Sequence, residues 1–246
     1  MRKIAFGLLL LTVHQVSFAQ TIIQRDAEIE RMVKEISADS LKAYITKLVG
    51  FGTRSTLSST TDKKQGVGAA REWVVQKFNE FGKASNGRMT AYVDTITLQP
   101  DKRRVDVATN LGNAMGILKG TDPADDRIYL ISGHLDSRVT DVMNRTAHAP
   151  GANDDGSGVA AVLECARVMS THSFPATIIF VAVSGEEQGL LGSGFLAAKA
   201  KTQNWNIDAM LNNDIMGSNN SNETNIINNT QVRVFSEAFS AVDTGR

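Results

Sequence analysis

The chain has 246 residues, 42% of them hydrophobic and 21% charged, which is ample apolar content for one sizeable core. Lys+Arg and Asp+Glu both number 26, so the formal net charge is zero and offers no electrostatic basis for a nucleic-acid partner or a polybasic membrane surface. The only cysteine, Cys165, excludes an intrachain disulfide and sits in an apolar helical pattern, where a buried structural thiol is the expected role.

Residues 1–19 read as a secretory signal peptide. Arg2 and Lys3 precede the apolar stretch Ile4 to Val13, and Ser17-Phe18-Ala19 places small residues at a cleavage point after Ala19. That stretch is too short to span a bilayer, and no later segment is long and apolar enough to do so. The expected location is secreted or periplasmic.

From Ile22 to about Gly50 the spacing predicts helix, broken near Ser37 to Ser40, with Leu41, Ile45 and Leu48 on one face. A polar, turn-rich stretch (Thr53 to Lys64) leads to a helix from Gly66 to Phe81. Strands follow at Met89 to Leu98 and Val105 to Leu118, separated by a polar turn and rich in β-branched residues. The centre alternates: strand Arg127 to Ser132, helix Gly158 to Met169, the continuously apolar strand Thr177 to Val183, helix Gly189 to Lys201, strand Ile207 to Leu211. Apolar strands between helices imply a sheet covered on both faces, the α/β layered class. An Asn/Ser-rich loop to Asn229 and a strand-like Val232 to Phe235 complete the pattern.

Four segments at predicted strand ends carry the chemistry. In Gly133-His134-Leu135-Asp136-Ser137, His134 and Asp136 leave extended chain on the same side, and a carboxylate beside a histidine can hold its ring for metal ligation. Pro150 to Gly158 is an oxygen-rich turn containing Asp154 and Asp155, suited to an Asx turn and helix cap or to a carboxylate bridging two metals. Ser184-Gly185-Glu186-Glu187-Gln188-Gly189 places two glutamates where α/β folds hold ligands, although glutamates also favour any helix start. Asp214 follows the last short apolar strand. Each segment alone has an ordinary turn or cap reading, whereas four in order, all delivering His or carboxylate, suit zinc.

These segments, GHLDS, PGANDDGSG, SGEEQGLLGS and NNDIMGS, resemble the zinc aminopeptidases typified by bacterial leucyl aminopeptidases, over roughly Leu41 to Met216. That family also contains glutamate carboxypeptidases and relatives of glutaminyl cyclase. The resemblance implies a three-layer αβα sandwich with a mixed, mostly parallel sheet, and two zinc ions. It implies that His134 and Asp214 ligate one zinc, Asp154 bridges both, Glu187 ligates the second, Asp136 supports His134, and Glu186 is the general base. Asp155 would lie beside Asp154 in the strained turn. The family's second histidine ligand lies well downstream of the Asp214 position, and no histidine follows His172 here. The expectation is therefore a partial catalytic domain over 20–246, incomplete at the C-terminus, with an unfinished second zinc site and little activity of its own. His148 and His172 read as surface residues. The implied activity is hydrolysis of the terminal peptide bond of a peptide substrate, by preference at the N-terminus. A carboxypeptidase or dipeptidase, a glutaminyl cyclase-like transferase and a non-catalytic receptor-like domain are the alternatives.

Overall fold

The computed structural model describes residues 25–220, 227–230 and 234. The signal segment and all of the strand-like Val232 to Phe235 except Val234 lie outside the described residues. Contacts divide the chain into a unit ending at Lys34 and a unit beginning at Glu35. In the first, α1 (Ala27–Lys34) is capped by Asp26, whose Oδ1 accepts from Glu28 N at 2.7 Å, and it buries no residue.

The second unit contains α2 (Ala38–Val49), α3 (Gly66–Gly82), β1 (Met89–Leu98), β2 (Thr109–Leu118), β3 (Arg127–His134), α4 (Gly156–Met169), β4 (Thr177–Val183), α5 (Leu191–Thr202) and β5 (Asn206–Asn212). The strands form one sheet in the order β1-β2-β4-β3-β5. The pairs β1/β2 and β2/β4 are antiparallel and β3/β4 and β3/β5 parallel, so β2 alone opposes the other four. The sheet is thus mixed and mostly parallel in direction.

The apolar run of β4 explains the layering. Alternate side chains of a strand face opposite sides of the sheet. Ile178, Phe180 and Ala182 join a core with α2, α3 and α4, while Ile179, Val181 and Val183 join a second with Met115, Leu130 and Leu196 of α5. Phe180 and Phe78 of α3 are fully buried with ring centroids 6.4 Å apart. Each such ring contributes about 1.5–3 kcal/mol by leaving water. β5, at the sheet edge, is exposed along its length. No helix among the described residues is long and apolar enough to cross a membrane.

Several predicted boundaries shift for local reasons. Ser37 ends the N-terminal helical pattern and caps α2, accepting from Ser40 N at 3.1 Å. β2 starts at Thr109 rather than Val105 because Asp101 Oδ1 takes the backbone N–H groups of Arg103, Arg104 and Val105, each at 2.8 Å. Those donors are then lost to any ladder. α5 begins after Gly189 and Leu190, whose φ values of 106° and 62° are incompatible with helix.

On α4, Glu164 is almost fully buried, accepting from Ser37 N at 2.6 Å and from Arg167 Nη2 at 2.6 Å, and so fastens α2 to α4. The neighbouring Cys165 packs partly buried against the core. Burial, with the adjacent Glu164 charge, pushes its thiol pKa up. A raised pKa leaves less thiolate at neutral pH. Cys165 is therefore expected to react with a disulfide reagent at pH 8 at least ~10-fold more slowly in the folded than in the denatured chain. Equal rates would contradict this placement.

Candidate metal centre

Parallel β3, β4 and β5 end at the same sheet edge, which brings distant segments of the sequence together. His134 is the last residue of β3, and Asp136 lies just beyond it. Asp154 and Asp155 precede α4, joined by a cis peptide bond. Glu186 and Glu187 follow β4, and Asp214 follows β5.

The loops are fixed by specific bonds. Asp155 is fully buried and caps α4 by accepting from Gly158 N at 2.8 Å. It also accepts from His134 N at 2.9 Å and Ile215 N at 3.3 Å, so one carboxylate links three site-bearing segments. Met216 N donates to Ser157 Oγ at 2.8 Å and Gly217 N to Asn153 Oδ1 at 2.7 Å, which clamps the Asp214 loop onto the start of α4. Glycine is required at 158: a Cβ there would stand 2.2 Å from Asn213 O and 2.4 Å from Asp155 Oδ2. Beyond β4, Asn113 Oδ1 accepts from Ser184 N at 3.0 Å and its Nδ2 donates to Gly192 O at 2.9 Å, bracketing the glutamate loop.

The result brings three predicted ligands together. His134 Nε2 lies 2.9 Å from Asp154 Oδ1 and 3.9 Å from Asp214 Oδ1. Among the described residues these three form the one group of His, Cys, Asp or Glu able to share an ion. His134 is 4% exposed whereas Asp154 and Asp214 are 54% and 42% exposed, so the group has a buried floor and an open side. Two ligands about 2.0 Å from a tetrahedral ion stand about 3.3 Å apart. The observed spacings straddle that value, and the imidazole–carboxylate donor set is one that zinc accepts, so the residues fit the ion.

Asp136 is fully buried and its role is wider than predicted. His134 Nδ1 contacts the backbone carbonyl of Asp136 at 3.1 Å, with Asp136 Oδ1 at 3.7 Å. The carboxylate itself accepts from Glu186 N at 3.2 Å, Glu187 N at 3.1 Å and Thr56 Oγ1 at 2.8 Å. Glu187 sits apart from the three-residue group, paired to Arg138 Nε at 2.5 Å. His148 is exposed and His172 lies half-buried near Glu35 at 3.4 Å, so the surface reading holds for the first and is corrected for the second. Glu35 partners His172 at the end of the α4 segment, and neither histidine joins the site.

The electrostatics suit positive charge. Burial disfavours the imidazolium of His134, but Asp136, Asp155 and Glu186 outweigh it and push the pKa up to about 10. Burial raises Asp155 to about 7, against the opposing effects of His134 and the two N–H donors. Glu186 and Glu187 are raised, first by burial.

One functional residue escaped the sequence reading. Arg54 is fully buried beneath these loops and donates to the carbonyls of Leu135 (2.7 Å), Leu48 (3.1 Å), Pro150 (2.7 Å) and Gly151 (2.8 Å). Burial lowers its pKa to about 10, countered by the charges of Asp136, Asp155 and Asp154.

Residues 113–243, just over half of the chain, match Peptidase family M28. The chain belongs to that family. Among curated relatives, the "Probable zinc metalloprotease" of Pyricularia oryzae is 46% identical over 193 residues, covering 78% of this chain and 38% of the relative. A protein of the same description from Leptosphaeria maculans is 45% identical, with 78% and 44% covered. The chain thus spans about two fifths of the length of these relatives. The fold is similar to the LapA aminopeptidase of Legionella pneumophila, with a TM-score of 0.64 at 20% identity over 90% of this chain and 53% of that one. It is also similar to the glutaminyl cyclase of Porphyromonas gingivalis, with a TM-score of 0.60 at 21% identity over 74% of this chain and 62% of that one. At these identities the likeness is one of fold.

Proposed function

We propose that this M28 chain forms the site of a zinc-dependent exopeptidase, acting by preference on the N-terminal residue of a peptide. The observation that carries the proposal is the convergence of His134, Asp154 and Asp214 from three chain segments onto one point. His134, Asp154 and Asp214 would hold one zinc. Asp154 and Glu187 would serve a second, for which the described residues offer no histidine. Zinc, when bound, supplies Lewis acidity toward a carbonyl oxygen and toward water.

The chain's own groups do the rest. Glu186 takes a proton from the attacking water on its carboxylate and returns it to the leaving amine nitrogen. Its backbone is held by Asp136 Oδ1, which aims the glutamate pair without using their side chains. Asp155 keeps the ligand-bearing segments in register through its three backbone bonds. The test is zinc-dependent release of chromophore from an aminoacyl anilide, abolished by chelation and restored by zinc. Hydrolysis indifferent to chelation would overturn the reading. If N-blocked peptides with a free carboxyl end were cleaved instead, the terminus preference would be reversed.

Asp136→Asn is expected to weaken zinc binding by roughly 10–100-fold, because the substitution removes charge behind His134 and one of the acceptors for the glutamate loop. Chelator competition would measure it. Unchanged affinity would show that Asp136 does not support the metal ligand.

A further inference from the structure

The stretch Thr53 to Lys64 reads in the sequence as a polar turn, yet Ser55, Thr56 and Ser58 are all buried. Two of these hydroxyls serve their own turn and the start of α3. Ser55 Oγ accepts from Leu57 N at 3.3 Å, while Ser58 Oγ donates to Ser55 O at 2.5 Å and accepts from Val67 N at 2.9 Å. Thr56 does neither. Its Oγ1 donates to Asp136 Oδ2 at 2.8 Å, across 80 residues of sequence. The segment that carries it is also fastened to the floor of the site, since Arg54 N donates to Ser137 Oγ at 3.1 Å and Ala149 N to Gly52 O at 2.9 Å.

Asp136 is the acceptor that holds the N–H groups of the glutamate loop. Oδ1 takes Glu186 N at 3.2 Å, and Oδ2 takes Glu187 N at 3.1 Å together with the Thr56 hydroxyl. Of the three bonds, the one from Thr56 is the shortest. The torsion that turns an aspartate carboxylate is broad, so its plane is fixed only where its oxygens are pinned. The two loop N–H groups cannot do this alone, because the loop takes its own position from that carboxylate. The other tethers lie elsewhere: Asn113 holds the loop at Ser184 N and Gly192 O, and Arg104 holds the carbonyl of Glu187. Valine has the same branching as threonine without the hydroxyl, so packing alone does not call for threonine at position 56.

We propose that Thr56 is a positioning residue for the peptidase chemistry. Its hydroxyl, presented by a turn with its own internal bonds, fixes the Asp136 carboxylate so that the two oxygens meet the N–H groups of Glu186 and Glu187 and aim both side chains. The inference rests on the reading of Glu186 as the base, and Thr56 itself touches no reacting atom. A hydrogen bond from a hydroxyl to an ionised carboxylate is one of the strong ones, and outer partners of this kind are worth roughly 10–100-fold.

Two readouts on Thr56→Val and Thr56→Ser test this, one of them independent of turnover. Amide hydrogen exchange at Glu186 and Glu187 is expected to be ~10-fold or more faster in Thr56→Val, with β3 and β4 keeping their protection. On an aminoacyl anilide, kcat should fall by ~10-fold or more with KM little changed, and Thr56→Ser, which keeps the hydroxyl, should recover most of both losses. If Thr56→Val is too unstable to assay, Thr56→Ala is set against Thr56→Ser, a pair that differs only in the hydroxyl. Unchanged exchange at Glu186 and Glu187, or equal loss of kcat in the variants with and without the hydroxyl, overturns the proposal. Faster exchange in a protein that shows no zinc-dependent hydrolysis would keep the tether and defeat the peptidase reading. Zinc-dependent hydrolysis with kcat unchanged in Thr56→Val would do the reverse.

Discussion

Glu186→Gln is expected to lower peptide turnover by ~10²–10⁴-fold while zinc stays bound. The substitution keeps the size of the side chain and the backbone bond from residue 186 to Asp136 Oδ1. It removes only the basicity. Glu186 is outside the three-residue group around His134, so the metal has no direct dependence on it. The comparison is made in zinc-loaded protein that turns over an aminoacyl anilide, with zinc measured on the same sample. Near-normal turnover, or loss of zinc from the Glu186→Gln protein, would reassign the base.

Arg54→Met is expected to have the largest effect on stability. Methionine fills much of the same space but gives no donor to the four carbonyls; Leu48 O keeps Phe51 N at 3.3 Å and Gly151 O keeps Gly156 N at 2.9 Å, while Leu135 O and Pro150 O lose their donor. Each of these two orphaned acceptors costs about 1–3 kcal/mol, a loss of about 4 kcal/mol together. For a unit of this size that corresponds to a fall of roughly 10 °C in the melting temperature. Arg54→Lys should recover only part of it, because an ammonium cannot reach four carbonyls in a planar fork. Thermal unfolding followed by circular dichroism reads both variants. A fall below about 3 °C for Arg54→Met would show that the guanidinium is not the clasp beneath the site.

The elements legible in the sequence are those whose signal is local. The run Thr177 to Val183 announces a central strand because every residue faces one of two cores, and Asp155 three residues before Gly158 announces a cap. The candidate ligands were equally legible, since His134, Asp154 and Asp214 each follow or precede an element that the sequence places. What escaped depends on contacts between distant residues. Arg54 lies in a stretch that reads as solvated turn, and no periodicity marks it for burial. The bond from Glu187 N to the Asp136 carboxylate spans 51 residues and exists only because β3 and β4 end side by side. The late start of β2 reflects competition within a turn, where the Asp101 side chain takes three donors, among them the Val105 N–H that the β-branched pattern assigns to a strand.

The metal centre is open to one direct measurement, zinc bound per chain after dialysis against a weak chelator. One tightly held ion is expected, because His134, Asp154 and Asp214 converge while Glu187 is paired to Arg138. His134→Ala should reduce it to none. Two tightly bound ions per chain, or one ion retained in full by the His134→Ala protein, would contradict the assignment of these three residues as the zinc site.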